Sequence, residues 1–246
     1  MPLNVYLNQI AGIDDAIVSM FMSKRTWTRN LEYEIRSTCE KVLHRNGKLR
    51  THKPGTLDKE FAQYNEWVDL LLKWGRQHIT MLKFVDMSFT VEGLHRGGQD
   101  DWDAHAQRFD NRIIRSSTRL STFSHGEISE WYQDKILPTD MALPELGIEL
   151  PEKITHDGRT YVKTTNGYVR EDLKDDKDAK RGLYMLSIPS NFIYKINLAS
   201  FAHVFKERNV DGRANPEVKL CCEKSLSAIQ EFQPKFDRRL MLEIRN

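Results

Sequence analysis

Five arginines in the second half of the chain are candidates for holding an anionic ligand. Arg112, Arg115 and Arg119 recur within one stretch, whereas Arg181 and Arg208 each border an apolar segment typical of a helix. A guanidinium group binds phosphate or carboxylate through two parallel hydrogen bonds. The five side chains therefore indicate a small anionic ligand, and the alternative is that they are ordinary surface or ion-pair arginines.

The stretch 119–132, "RLSTFSHGEISEWY", has the composition of a ligand-site wall. It combines an arginine, a histidine and three serines with few large apolar side chains. A helix that packs on a core would show a broader apolar stripe. A plain surface helix would hold more Lys and Glu and fewer aromatic residues. The stretch is therefore the first candidate for a site, and its residue types alone do not say which one.

Other reactive residue types show no spacing that indicates a known chemistry. The histidines at 95, 105, 125 and 203 are scattered, and neither HExxH nor CxxC occurs, so no metal site is predicted. The segment "GLHRGG" (93–98) lacks the patterns of dinucleotide and nucleoside triphosphate loops, and its glycine pair is expected to form a turn. Cys221 and Cys222 fall in a predicted amphipathic helix, where small apolar packing is expected.

The overall composition excludes several classes of protein. The 246 residues are 39% apolar and 29% charged with a net charge of +2, which fits a globular protein and not a disordered or nucleic-acid-coating chain. An odd number of cysteines, three, argues against a disulfide framework. No basic segment followed by an apolar one opens the chain, and no apolar run approaches about 18 residues. We expect a cytoplasmic protein with no membrane or nucleic-acid partner.

Apolar periodicity predicts helices in the first third of the chain. The segments 13–24, 27–44 and 57–74 each place their apolar residues on one helical face, and 45–56 reads as a loop because it contains Gly and Pro. We therefore describe residues 1–80 as an N-terminal helical part and 81–246 as an α/β part of the same domain.

The pattern changes after residue 80. Met87, Phe89 and Val91 alternate with polar residues, which predicts a strand with one buried face. Residues 93–110 are expected to become helical after their glycine-containing start, and 111–132 to be of mixed character. Asp-Gly at 157–158 and Asn-Gly at 166–167 predict a small β-meander, a hairpin insertion near 153–178.

The last third of the chain predicts two helices. Leu198, Phe201, Ala202 and Phe205 share one helical face within 192–208. Pro216 suits the first turn of a long final helix that begins "PEVKLCCEKSL".

The stretch 119–132 resembles the signature of the flavin-dependent thymidylate synthases. That signature reads R-H-R-x-x-S-x-N-E-x-S-x-R and is usually followed by Tyr. Aligned without gaps, this sequence keeps Arg119, Ser124, Glu127, Ser129 and Tyr132. The signature's His, second Arg, Asn and last Arg are replaced, in that order, by Leu120, Ser121, Gly126 and Trp131.

A second block in the C-terminal half is similar to the same family. Residues 180–208 resemble the family segment that begins Ala-Arg, passes a Leu-Pro turn and an aromatic strand, and ends in a helix with Arg, so that Arg181, Asn197 and Arg208 match. "RANPEVKL" (213–220) resembles the family's Ala-Gln-x-Glu-Ile helix start. "MLKFVDMSFTVEG" (81–93) resembles its early strand, where Asp86 stands in place of a His.

The resemblance implies a fold, an activity and a set of ligands. The fold would be α/β, with a mixed sheet packed with helices and with additional N-terminal helices. The reaction would be methylation of dUMP at C5 with methylenetetrahydrofolate and NADPH as co-substrates and FAD as the cofactor. The family builds this site between the subunits of a homotetramer. Because the flavin delivers the hydride, no protein thiol has to attack the base.

The resemblance also assigns roles to individual residues. Substrate-binding roles would fall to Arg119, Glu127, Ile128, Ser129, Arg181 and Arg208, with Arg181 at the phosphate and Arg208 at the base side. Arg208 and Ser129 would be catalytic. Contacts to FAD would come from Arg119, Glu127, Asn197 and His203, the last of which stands where the family usually has Asn.

The four replaced signature positions leave two alternatives open. One is a relative that acts on another pyrimidine nucleotide, such as dCMP, or that transfers a hydroxymethyl group. The other is a relative without catalysis that binds a nucleotide or a protein partner. Trp131 is either a stacking surface in a changed site or a packing residue.

Overall fold

The structure is a computed structural model that describes most of the chain. It covers residues 2–51, 53–105, 112–115, 130–132, 134–138, 150–164, 167–176, 179, 189–210 and 214–244. The helices are α1 (Ile13–Ser23), α2 (Arg29–Val42), α3 (Asp58–Gly75), α4 (Arg96–His105), α5 (Leu198–Phe205), α6 (Pro216–Phe232) and α7 (Arg238–Glu243). The strands are β1 (Asn4–Ala11), β2 (Asp86–His95), β3 (Arg112–Arg115), β4 (Ile136–Pro138), β5 (Lys153–His156), β6 (Arg159–Thr164), β7 (Gly167–Arg170) and β8 (Pro189–Asn197). Short 3-10 turns cover Ile79–Phe84 and Glu171–Leu173, and a π-helical turn covers Lys206–Val210.

The main sheet has the strand order β1-β2-β8-β3. A mixed sheet was expected, and every described strand pair is antiparallel. One face of this sheet forms the core, where Met87, Phe89 and Val91 are fully buried as their alternation predicts. Phe89 stacks on Tyr194 of β8 and on Phe201 of α5, with ring centroids 4.9 and 6.2 Å apart. The expected α/β class, with helices packed on a sheet, is confirmed.

The three predicted N-terminal helices are present as α1, α2 and α3. The side chain of Thr28 caps α2 by accepting a hydrogen bond from the N–H of Leu31 at 3.2 Å. The strand that precedes them, β1, was not predicted. It pairs with β2, and its register shifts between Leu7 and Gln9. This bulge breaks the two-residue period from which a strand would have been recognised.

A second, smaller sheet has the order β4-β7-β6-β5. Strands β5, β6 and β7 are the predicted meander, and the turn between β5 and β6 has positive φ at Asp157 (48°) and Gly158 (72°). Two successive positive φ angles are what a tight two-residue hairpin turn requires. Strand β4 lies beside β7 and was not predicted.

The C-terminal segment 192–208 is helical only in its second half. Residues 192–197 belong to β8, and α5 begins at Leu198 with Phe201, Ala202 and Phe205 buried as predicted. The final helix α6 begins with Pro216, as predicted, and the side chain of Asn215 accepts a hydrogen bond from the N–H of Glu217 at 2.8 Å. Helix α6 packs against β1, β2 and α4.

Candidate functional site

Three of the predicted site residues lie among the described residues. Asn197 is the last residue of β8, His203 lies in α5, and Arg208 lies in the π-helical turn that follows α5. At a rise of about 1.5 Å per residue, Asn197 and Arg208 are roughly 16 Å apart along the helix axis. The other residues to which the resemblance assigns roles lie outside the described residues: Arg119, Glu127, Ile128, Ser129 and Arg181. Of the remaining candidate arginines, Arg112 and Arg115 lie in β3, where Arg115 forms an ion pair with Asp100.

Asn197 forms the N-terminal cap of α5. Its side-chain oxygen accepts a hydrogen bond from the N–H of Ser200 at 2.8 Å, and the residue is only 3% exposed. A cap of this kind satisfies one of the N–H groups that a helix leaves unpaired at its start. Asn197 therefore has a structural role in this fold, and its predicted contact with FAD stays a prediction.

His203 lies inside α5 and is half-buried between the buried neighbours Ala202 and Val204. Its backbone carbonyl accepts the N–H of Lys206, where the α-helix passes into the π-helical turn. The position is compatible with a contact at the edge of the helix layer. Its predicted contact with the flavin is untested by this geometry and stays a prediction.

Arg208 lies in the π-helical turn that follows α5. Its Nε atom is buried and has no hydrogen-bond partner among the described residues. Single π-helical turns are rare and occur frequently at functional sites. A buried N–H group without a partner costs about 1–3 kcal/mol, so a group of this kind in a native structure requires an explanation.

The acidic residue beside this turn is already engaged elsewhere. Glu223 of α6 accepts hydrogen bonds from Asn209 and from Arg238, the latter at 2.6 Å. Burial raises the pKa of Glu223, and the Asn209 and Arg238 contacts lower it, with a net decrease from the ordinary value. Glu223 is therefore not the partner of Arg208 Nε, which has no hydrogen-bond partner among the described residues.

Other arginines also have a buried nitrogen atom without a hydrogen-bond partner among the described residues, among them Nε of Arg76, which pairs with Glu243 through Nη1, and Nη1 of Arg96. Arg96 is the first residue of α4, and its Nη1 atom is buried without a hydrogen-bond partner among the described residues. Helix α4 packs against both α5 and α6. Two cationic side chains on neighbouring elements therefore carry buried donors that suit phosphate oxygens.

A chain of buried polar side chains joins the end of β2 to the start of α6. Glu217 and His95 are 5% and 3% exposed, and the carboxylate contacts Nδ1 of the imidazole. On the other side of the ring, the Tyr132 hydroxyl lies 3.4 Å from Nε2 of His95, and the Asn215 amide donates to that hydroxyl at 3.3 Å. The rings of His95 and Tyr132 meet edge to face with centroids 5.0 Å apart. Each of these four polar side chains thus has a partner inside the protein.

Gly98 makes room for the buried imidazole of His95. A Cβ atom at this position would lie 2.8 Å from Cε1 of His95 and 3.0 Å from Cδ1 of Leu94. The glycine pair 97–98 lies in the first turn of α4 and not in an isolated turn, so the expectation of a turn was wrong. The glycine is needed because the imidazole packs directly on the helix backbone.

No pattern in the sequence indicates these buried polar contacts. His95 and Glu217 are separated by 122 positions, so no local spacing relates them. The local indication was the segment Asn215-Pro216-Glu217, which has the residue types of a helix start. Along α6, Glu217 and Cys222 are about 7–8 Å apart, and the charge of Arg208 acts on the Cys222 thiol. Helix α6 thus carries Glu217 in its first turn and packs against the π-helical turn that contains Arg208.

Two solved structures match this arrangement of elements over nearly the whole chain. One is thymidylate synthase X (ThyX) from Helicobacter pylori with FAD and dUMP: its identity is 14%, it covers 98% of this chain and 100% of its own, and its TM-score is 0.52. The other is the flavin-dependent thymidylate synthase ThyX from Helicobacter pylori, complexed with FAD and dUMP: its identity is 13%, the coverage is 99% and 100%, and the TM-score is 0.51. The chain has the ThyX fold.

The sequence itself gives no such match. No family model matches it, and no curated protein sequence matches it. The resemblance seen in the two motif blocks is thus confirmed at the level of the ThyX fold, with a divergent sequence. Among the described helices, none combines the length and the apolar character that crossing a membrane requires.

Two departures from the ThyX motifs can be located in the structure. Trp131 is half-buried and packs on the small cluster of Tyr132, Ile136 and Val169, while Nζ of Lys135 lies 3.8 Å from its ring centroid. Asp86 lies opposite Asn197 and forms an ion pair with Lys195 at 2.6 Å. Trp131 therefore serves packing, and the carboxylate at position 86 has a cation on the adjacent strand.

The three cysteines of this ThyX-like chain are free and buried. Burial raises the pKa of Cys39 to about 12 and raises the pKa values of Cys221 and Cys222 well above the ordinary value. Because the thiolate is the nucleophilic form, these thiols are unsuited to attack a substrate at neutral pH.

Proposed function

We propose that the protein is an FAD-dependent enzyme that alkylates a pyrimidine deoxynucleotide at C5, in the first place dUMP to dTMP with methylenetetrahydrofolate and NADPH. The observation that supports this most directly is Arg208. Its Nε–H group is buried in a π-helical turn without a partner among the described residues, within a fold shared with solved ThyX structures that hold FAD and dUMP.

The described residues suit the anionic parts of these ligands. Arg96 and Arg208 would each satisfy a buried donor by binding a phosphate or an electronegative base atom. When bound, FAD supplies the redox chemistry, which a protein of ordinary side chains lacks. The chain itself then has to bind, to orient and to exclude water.

The buried chain of Glu217, His95, Tyr132 and Asn215 would support that task indirectly. It fixes the first turn of α6 against the end of β2, and α6 packs against the π-helical turn that contains Arg208. A rigid support of this kind keeps a binding arginine in place without contacting the ligand. In this proposal Arg208 is the substrate-binding residue, with the catalytic role that the motif assigns to it.

The replaced signature residues favour a second candidate function. Trp131 packs where the signature has its last arginine, so one cation of the expected site is missing at that position. A relative that acts on dCMP, that transfers a hydroxymethyl group, or that binds a nucleotide without catalysis would tolerate this loss.

The visible absorption spectrum of the purified protein separates these functions. We expect a flavin band, either co-purified or formed on adding FAD, that shifts on adding dUMP and shifts less with dCMP. Turnover with methylenetetrahydrofolate and NADPH should then yield dTMP. A larger shift with dCMP selects the other pyrimidine, and nucleotide binding without flavin selects the non-catalytic relative. A protein that binds neither FAD nor a pyrimidine monophosphate would overturn the proposal.

A further inference from the structure

A cavity lies in the N-terminal helical part, at the point where β1 passes into α1. It has a volume of about 660 Å³, which is within the usual range for small-molecule sites. Its walls are residues 9–14, three residues of α2 and the loop 43–50, a part of the chain that is described without a gap. None of the described lining residues belongs to α5 or to the sequence blocks that resemble the synthase signature. The cavity is therefore built from other residues than the candidate site at Arg208.

The loop 43–50 is held against β1 and α6. The N–H of Ile10 donates to the carbonyl of Asn46 at 2.8 Å. The side-chain amide of Gln233, a residue that is 2% exposed at the end of α6, donates to the carbonyl of Gly47 at 2.8 Å. These bonds fix the backbone of the loop before any ligand binds. A preorganised wall of this kind lowers the ordering cost of binding.

Three basic side chains of this loop line the cavity: His44, Arg45 and Arg50. The Nε group of Arg50 donates to the carbonyl of Leu43 at 2.8 Å, which fixes the plane of its guanidinium. The N–H groups of a guanidinium form a fork that matches two oxygens of a phosphate or a carboxylate. Since Arg45 brings a second guanidinium to the same wall, the loop presents two such forks and an imidazole to one ligand.

The fourth basic residue in the wall, Arg36 of α2, has a different role. Its guanidinium pairs with Asp14 at 2.7 Å, with Asp15 at 2.9 Å and with Glu32 at 3.2 Å. Arg36 therefore joins α2 to the start of α1, and nearby carboxylates balance its charge. The positive charge that the cavity offers to a ligand thus lies on the loop 43–50.

The cavity also contains a hydrogen-bond acceptor. Glu40 lies on α2 one turn after Arg36, and both residues line the wall. A carboxylate accepts hydrogen bonds from hydroxyl groups and repels a simple anion. A ligand that suits both sides of the cavity has a phosphate group for Arg45 and Arg50 and hydroxyl groups for Glu40. A phosphorylated sugar has this combination, whereas inorganic phosphate and a dicarboxylate do not.

We propose that the cavity between β1, α2 and the loop 43–50 binds a phosphorylated sugar, either free or as part of a nucleotide. The phosphate lies at Arg45 and Arg50, and a sugar hydroxyl donates to Glu40. The site uses none of the residues to which the resemblance assigns roles. It is therefore a ligand site in addition to the proposed enzymatic one and does not depend on that function.

Titration calorimetry of the full chain with ribose 5-phosphate and with AMP tests this site. Both compounds are expected to bind, and Arg45→Ala and Arg50→Ala should each weaken their binding about tenfold or more. Arg29→Ala, at the other end of α2, is the matched control and should bind like the wild type. Tighter binding of AMP would identify the ligand as a nucleotide, and equal affinities would identify a free sugar phosphate. A wild-type protein that binds neither compound, or Arg45 and Arg50 variants that bind both like the wild type, would refute the proposal.

The Arg45→Ala variant keeps this test valid even if the loss of the Arg50 contact with Leu43 unfolds the loop. Arg45 is exposed, so its substitution leaves the fold intact. Urea denaturation of both variants distinguishes lost binding from lost structure.

Two further variants separate this site from the one at Arg208 and separate the sugar from a simple anion. Arg208→Ala should retain its affinity for ribose 5-phosphate, whether or not dUMP binds at Arg208. Loss of that affinity would place the ligand at Arg208 instead. Glu40→Ala should weaken the binding of ribose 5-phosphate and not that of inorganic phosphate, because only the sugar has hydroxyl groups for the carboxylate. If Glu40→Ala strengthened the binding of both alike, Glu40 would only repel anions and the assignment to a sugar would be wrong.

Discussion

The two ends of α5 satisfy their polar groups in different ways. At the start, Asn197 is buried and its side-chain oxygen is bonded to the N–H of Ser200. At the other end, the π-helical turn leaves Nε of Arg208 buried without a partner among the described residues. Polar groups that are matched inside the chain contribute to its stability. An unmatched group reduces stability and is retained where a ligand uses it.

The buried polar side chains at the start of α6 resemble the N-terminal end of α5, because their polar groups also pair inside the protein. His95, Tyr132, Asn215 and Glu217 satisfy one another although they come from three separate segments. The comparison therefore predicts that substitutions in this chain and at Asn197 reduce stability, whereas substitution of Arg208 reduces ligand affinity.

The largest effect is expected for Arg208→Ala. Losing two charge-assisted hydrogen bonds to a nucleotide should weaken dUMP binding about a thousandfold, which corresponds to about 4 kcal/mol. The free energy of unfolding should stay the same or increase, because a buried unmatched donor is removed. Titration calorimetry and urea denaturation of the same preparation measure the two quantities.

Arg29→Ala is the matched control for this substitution, since Arg29 is 82% exposed and pairs only with Glu32 at 3.2 Å. It should change neither nucleotide affinity nor stability by more than about 0.5 kcal/mol. If Arg208→Ala kept its affinity for the nucleotide but lost stability, the two ends of α5 would not differ in the way proposed.

The next largest effect is expected for Glu217→Ala. It leaves the buried His95 without its carboxylate partner and should lower the free energy of unfolding by about 3 kcal/mol. Glu217→Gln keeps an oxygen acceptor and should lose less, and Glu66→Ala on the exposed side of α3 should lose almost nothing. A fully stable Glu217→Ala protein with impaired turnover would instead place the carboxylate in the catalytic chemistry.

Features that depend on neighbouring residues were predictable from the sequence, whereas features that depend on the packing of distant segments were not. The alternation of Met87, Phe89 and Val91 and the Asp157-Gly158 turn are local patterns, and both appeared as predicted. Strand β1 was missed because its bulge interrupts the two-residue period. The contact between His95 and Glu217 was missed because it depends on how distant segments pack. A group without a partner, such as Nε of Arg208, can only be recognised once its neighbours are known.

A smaller effect is expected for Asn197→Ala at the matched end of α5. Removing the buried cap should lower the free energy of unfolding by about 1–2 kcal/mol. Asn197→Ser retains an acceptor oxygen for the N–H of Ser200 and should recover part of that loss. Denaturation of both variants, alongside FAD binding, checks the assignment. If Asn197→Ala unfolded like the wild type and lost only its flavin, the residue would be a ligand contact and the cap would be unimportant.

The smallest effect is expected where matched charges are exposed, at Asp134 in the smaller sheet. Its carboxylate lies 3.2 Å from both Arg170 and Lys135 and is 40% exposed. Burial raises the pKa of Asp134. The contacts with Lys135, Arg170 and Arg159 lower it by more than burial raises it, so the pKa lies below its ordinary value of 3.8. A carboxyl group whose pKa is lower in the folded state stabilises the protein above its unfolded value and loses that contribution as pH falls through the folded value.

Asp134→Asn should therefore be less stable than the wild type at pH 7, by less than about 1 kcal/mol because water screens the pair. The difference should disappear in acid below the ordinary aspartate range. Urea denaturation at neutral and acid pH measures this, with Glu152→Gln as a control, since the Glu152 side chain is 86% exposed and lies 4.0 Å from Lys163. If the stability difference persisted unchanged in acid, Asp134 would contribute through packing and not through its charge. The exposed ion pairs of Asp134 would then stabilise the protein by a different mechanism from the buried hydrogen bonds at Asn197 and Glu217.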